Sequence, residues 1–174
     1  MLCTEIKRTQ PELLKNFFVV FISNEKRSVP LWKQLAGIKN DRPFVIWDYH
    51  VILYYRPAKL ENSLIYDFDT TLPFPCQALE YVKETFKPDL FLKEEYKHHF
   101  RLISAQLYLD YFQSDRSHML KEDGTYMAPP PSYQAIISSE NGTSNLDYYI
   151  SMKPHSSVEE KYGVVYESVD FFMH

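Results

Sequence analysis

The sequence predicts one α/β domain, residues 1–174, organised around a central, mainly antiparallel sheet. Three β-branched and aromatic runs, at 17–23 (FFVVFIS), 44–55 (FVIWDYHVILYY) and 64–70 (LIYDFDT), supply the strands, and amphipathic stretches with helical spacing supply the covering layers. With 174 residues, 45% of them hydrophobic and 16% aromatic, the chain is long enough to bury one sizeable core and short for two.

The elements follow in order. Residues 1–10 carry Leu2, Cys3 and Ile6 at near-helical spacing with no capping side chain before them, so the chain opens inside a helix. The run 17–23 ends at a polar stretch and reads as a buried strand. Leu31 and Trp32 follow Pro30 in a short extended piece, and 37–43 reads as a loop. Residues 44–55 are apolar except at Asp48 and His50, the pattern of a central strand covered on both faces. The run 64–70, interrupted by Asp67 and Asp69, is its hairpin partner through a connection at 56–63. A turn centred between Ala58 and Lys59 puts His50 opposite Asp67 and Asp48 opposite Asp69, within imidazole–carboxylate reach; a slip of one residue would put Phe68 there instead.

Ala78, Tyr81, Val82 and Phe86 form one stripe of a helix over 77–86 that Pro88 stops. A short strand at 100–104 leads into a helix at 105–112 with Leu107, Tyr108, Tyr111 and Phe112 turned inward. Asn145 is placed to cap a helical turn ending at Ile150, residues 164–166 form a last strand, and Ser168 caps a final helix.

Several function classes lose weight on composition. A net charge of −4, a pI near 5.9 and the lack of a Lys/Arg run disfavour a nucleic-acid binder. No long apolar span points to a membrane partner. With 4 glycines and neither G-x-G-x-x-G nor a P-loop spacing, nucleotide cradling is disfavoured. Two cysteines, Cys3 and Cys76, are too few for a disulfide scaffold or a cysteine-based zinc site, which fits a reducing, intracellular setting.

Asp48, His50, Asp67 and Asp69 lie in the most apolar part of the chain, where an unpaired charge is costly, so they are expected to pair. A histidine held by a buried carboxylate is either a satisfied structural pair or the base and orienter of a catalytic triad. No nucleophile is evident beside them: the spacing of Cys3 makes it a core position, and Cys76 after Pro-Phe-Pro reads as packing. A metal site using His50 with Asp67 or Asp69, or the adjacent His98 and His99, is the weaker alternative. Ser114-Asp115-Arg116-Ser117-His118 is either a pocket wall or a self-bonded turn. Pro130-Pro131-Ser132-Tyr133 fits the PPxY pattern read by WW domains.

Trp47-Asp48-Tyr49-His50-Val51 is the WDYHV motif, and through it the sequence resembles the protein N-terminal glutamine amidohydrolases. The resemblance continues through Val20-Phe21-Ile22-Ser23-Asn24-Glu25, Pro30-Leu31-Trp32-Lys33-Gln34, Tyr66-Asp67-Phe68-Asp69-Thr70, Leu72-Pro73-Phe74-Pro75, Ser114 to Met119 and Pro129 to Tyr133. It implies a papain/transglutaminase-like α-β-α sandwich and a Cys-His-Asp hydrolase that converts N-terminal glutamine to glutamate with release of ammonia, feeding the N-degron pathway. It further implies His50 as base, Asp67 as its orienter, proteins or peptides with N-terminal Gln as partners, no cofactor, a monomer, and a cytoplasmic and nuclear location. The family's nucleophile lies in a Cys-Glu-Glu-Asn stretch at the start of its first helix. Leu2-Cys3 and Ile6-Lys7 match the sequence just after it, so the nucleophile is expected about eight positions ahead of Cys3, before Met1, and the chain as given is expected not to turn over substrate. The alternatives are an inactive relative that binds N-terminal Gln, or an adaptor presenting the PPxY segment to a WW domain.

Overall fold

The structure, a computed structural model, describes residues 2–39, 41–115, 121, 123–126, 136, 144–153 and 160–173. The PPxY segment and Arg116, Ser117 and His118 fall outside these residues. An antiparallel six-stranded sheet runs in the order β6-β5-β4-β1-β7-β8: β1 Phe17–Ser23, β4 His50–Tyr55, β5 Leu64–Tyr66, β6 Cys76–Gln77, β7 His99–Ser104 and β8 Val164–Tyr166. Two more strands, β2 Val29–Trp32 and β3 Phe44–Trp47, form a separate antiparallel pair. The α-helices are α1 Leu2–Thr9, α2 Leu35–Lys39, α3 Ala78–Tyr81, α4 Ala105–Tyr111 and α5 Leu146–Ile150.

Because successive side chains on a strand point to opposite faces, the central strands feed two cores. Val20, Ile22, Ile52, Tyr54, Ile65, Phe100 and Leu102 pack on one face with Ala78, Tyr81, Val82 and Phe86. Val19, Phe21, Leu53 and Ile103 pack on the other with Cys3, Leu14, Phe112 and Tyr149. The predicted stripe of α3 is buried as expected, although its second half, Val82–Phe86, winds as a π-helix and ends at Lys87 with φ 50° before Pro88.

Four sequence expectations need correction. Residues 44–55 are two strands in two sheets, because the backbone turns at Asp48 and Tyr49. Asp48 Oδ1 accepts from the Tyr49 N–H at 2.9 Å, and its carbonyl accepts from the Ser23 hydroxyl at 2.7 Å. β3 is accordingly not covered on both faces, and Ile46 is exposed. The hairpin is also slid by two residues, since Leu53 pairs with Tyr66 where the predicted turn put Leu64. A 3-10 turn at Leu60–Asn62, closed by the Ser63 N–H on the Leu60 carbonyl at 2.9 Å, moves the turn centre along the chain. Finally, the predicted loop from Gly37 onward begins inside α2, and Tyr111 of α4 is exposed rather than inward.

Arg101, mid-strand in β7, has no exposed surface. Its guanidinium donates to the carbonyls of Tyr149 (3.1 Å), Tyr162 (3.1 Å), Lys153 (2.9 Å) and Ser151. One side chain thereby fastens β7 to α5, to the chain that follows it, and to the turn before β8.

Candidate active site

His50 opens β4 opposite Ile22, at the end where β1 leaves the sheet. By the alternation of the strand its side chain lies on the face of Ile52 and Tyr54. It is 4% exposed, and its Nε2 stands 3.0 Å from Oδ1 of Asp67, itself 2% exposed. The pair predicted from the sequence therefore forms, though not by the predicted route. Strand pairing ends at Leu53 and Tyr66; the chain then bends through 67–69, with the Asp69 N–H donating to Asp67 Oδ1 at 2.9 Å. That bend swings Asp67 back to the histidine. A slip of two residues keeps every side chain on its face, whereas a slip of one would have lost the pair.

The bend is clamped from outside the sheet. Gln34 and Thr70 form an isolated antiparallel bridge, the Leu35 N–H donates to the Asp69 carbonyl at 2.7 Å, and the Thr71 N–H to the Lys33 carbonyl at 2.8 Å. This brings the Gln34 side chain, 2% exposed, to Asp67, where its Nε2 donates to Oδ2 at 3.4 Å. The Tyr81 hydroxyl from α3 donates to the same oxygen at 2.7 Å. Sequence reading missed both residues. Tyr81 sat on an apolar stripe that packing alone explains, and Gln34 lay in a stretch whose partner strand was not evident.

Burial alone would push the Asp67 carboxyl up. The hydrogen bond and charge of His50, the Asp69 N–H and the Tyr81 hydroxyl outweigh it and hold Asp67 below the usual carboxylate value. Tyr81 is raised well above the ordinary phenol value, first by burial and then by the carboxylate beside it, so it remains a donor. Because an ionised carboxylate can only accept, Nε2 carries the proton in this contact, and the neutral imidazole keeps its lone pair on Nδ1, the nitrogen at which it can take up a proton. The Trp47 ring stands 5.1 Å from the His50 ring, and its buried Nε1 has no hydrogen-bond partner among the described residues.

Asp69 is exposed, and its carboxylate lies with His50 and Asp67 inside a 4.8 Å cluster of polar atoms. The direct His50–Asp67 hydrogen bond already joins two of its three members. His98 is spent on the Pro30 carbonyl at 2.7 Å. Asp48 does not reach Asp69 as predicted, because it caps its own turn.

Neither thiol stands at this pair. Cys3 belongs to the core on the opposite face of the sheet, and burial pushes its thiol up to about 11. Cys76 is 1% exposed; burial, followed by the charge and hydrogen bond of Glu80, also raises it to about 11. Thiols so placed are poor nucleophiles at neutral pH.

An antiparallel α/β scaffold here buries an imidazole against a carboxylate, an arrangement chemically able to support base-assisted acyl transfer. Comparison with known proteins gives the particular family: the N-terminal glutamine amidase model matches residues 1–174, and the chain belongs to that family. It is 51% identical over 140 residues to the protein N-terminal glutamine amidohydrolases of Drosophila erecta and Drosophila melanogaster, covering 80% of this chain and 67% of each relative. It is 47% identical over 170 residues to that of Drosophila willistoni, covering 98% of this chain and 80% of the relative.

Proposed function

We propose that this protein is a protein N-terminal glutamine amidohydrolase in which His50 is the general base and acid and Asp67 orients it, in a papain/transglutaminase-like sandwich. The observation that supports this most directly is the buried 3.0 Å contact between His50 Nε2 and Asp67 Oδ1 in a chain about half identical to proteins of that name. In this reading a thiolate attacks the side-chain carboxamide carbon. His50, holding the thiol proton on Nδ1, delivers it to the departing nitrogen and ammonia leaves. Water, deprotonated by the same nitrogen, then splits the thioester to give glutamate and restore the thiol. Cys3 and Cys76 are both turned into cores, so in this reading neither is the attacking thiol. The enzyme works as a monomer, in cytoplasm and nucleus, on proteins that begin with glutamine.

The free α-ammonium distinguishes an N-terminal glutamine from an internal one, and Asp69 is the group to receive it. It is exposed beside the buried pair, while Asp67 is fully engaged and Asp48 is occupied by its own turn. Ammonium nitrogen and carboxamide carbon are four bonds apart, about 5 Å at full extension, a span that fits a site where His50 and Asp69 lie this close. In a thiol-bearing form, Asp69→Asn is expected to raise KM for a Gln-initiated peptide at least tenfold with little change in kcat; an unchanged KM sinks the assignment. The 174-residue chain alone is expected to release no ammonia above background from that peptide. Activity that Cys3→Ser abolishes would show the nucleophile to be misplaced.

A further inference from the structure

We propose that Tyr81 is a positioning residue for the catalytic pair, acting through Asp67 with Gln34 as its weaker companion. The inference rests on the reading of His50 as base. A carboxylate free to rotate about its terminal bond presents either oxygen to the imidazole and holds neither ring orientation nor tautomer firmly. Here each oxygen has its own donors. Oδ1 receives His50 Nε2 at 3.0 Å and the Asp69 N–H at 2.9 Å, while Oδ2 receives Tyr81 Oη at 2.7 Å and Gln34 Nε2 at 3.4 Å. The two sets lie on opposite edges of the group, so the plane of the carboxylate is pinned from both sides.

The donor on the far edge is delivered by a separate layer. Tyr81 stands on α3, has no exposed surface, and its ring packs edge-on against Phe86 at 5.5 Å. That packing fixes the phenol without help from the hydrogen bond, which makes the hydroxyl an addition to an already satisfactory core position. Phenylalanine there would bury equally well; the oxygen answers to Asp67. The titratable groups around the pair are Asp69 on its own turn, Tyr81 from α3, and Cys76 of β6 beyond the tyrosine. With the tyrosine on Oδ2, Oδ1 is the oxygen left to face the imidazole, so the hydroxyl steers the carboxylate.

The test is nitrogen-15 NMR of the His50 ring in the folded chain, which needs no turnover. In the parent the neutral ring is expected as the Nε2–H tautomer; a ring found as Nδ1–H would sink the base–orienter reading itself, independently of Tyr81. Tyr81→Phe preserves the core and is expected to reduce the Nε2–H preference. Gln34→Met, which removes the longer bond, should shift the tautomer in the same direction by less. In a thiol-bearing form Tyr81→Phe should lower kcat about tenfold with KM unchanged. A folded Tyr81→Phe whose His50 tautomer matches the parent overturns the proposal, as does a larger effect from Gln34→Met.

Discussion

Asp67→Asn, in a form of the protein that carries the nucleophilic thiol, is expected to lower turnover by about 10³–10⁴-fold. The carboxylate now meets donors on both edges: His50 and the Asp69 N–H on one, Tyr81 and Gln34 on the other. Asparagine has a single acceptor oxygen, so whichever way the amide is turned its NH₂ faces donors. With the NH₂ toward His50, the ring must accept through Nε2, and the proton moves to Nδ1, the position that has to be bare to receive a thiol proton. Ammonia release from a Gln-initiated peptide measures the loss, and His50→Ala should be comparably impaired. Undiminished rates in either variant would refute the roles assigned.

The same substitution changes the response to acid. Asp67 is held below its ordinary value of 3.8 in the folded protein. The stability this confers is fully present above that value and is lost as pH falls through the lowered one. Asp67→Asn should therefore remove part of the decline in melting temperature on acidification while costing stability at neutral pH.

Arg101→Met is expected to destabilise the fold by about 3–5 kcal/mol, a large part of the total stability of an ordinary domain. Methionine fills much of the volume and removes a buried charge, which by itself would be tolerated. It leaves the carbonyls of Tyr149, Ser151, Lys153 and Tyr162 without their donor inside the protein. Burial pushes the guanidinium down to about 10, still charged at neutral pH, so the four dipoles act on a full cation. Arg101→Lys should recover only part of the loss, because an ammonium has three protons and no planar fork to span carbonyls on either side. Thermal or denaturant unfolding measures both variants. A Met variant as stable as the parent would mean that those carbonyls find other donors.

The sequence was most informative where one physical pattern dominated. β1 was legible to the residue, because its first six residues, FFVVFI, are all apolar and the run ends at Ser23 before a polar segment. The His50–Asp67 pair was legible because charge in an apolar stretch requires a partner. The break of residues 44–55 into two strands was not, since the apolar run continues across it. What separates β3 from β4 is a local turn at Asp48 and a hydroxyl from Ser23, far away in sequence. Tyr81 and Arg101 escaped for related reasons. The first fits its helical stripe on hydrophobicity alone, and the second reads as an ordinary polar residue in a strand until the carbonyls that converge on it are known. A carboxylate in a strand announces its need; a phenol or a guanidinium that meets the needs of others does not.

The bend that ends β3 leaves the Trp47 indole 5.1 Å from the His50 ring, while the only other tryptophan, Trp32, stacks near Phe44. A protonated imidazole at that distance quenches indole emission, and a neutral one does so far less. With Trp32 replaced by phenylalanine, the one remaining tryptophan, excited selectively beyond the tyrosine band, would report the charge on His50, so the protonation state of the site could be followed by light in the resting protein and again as a glutamine-initiated peptide settles against it.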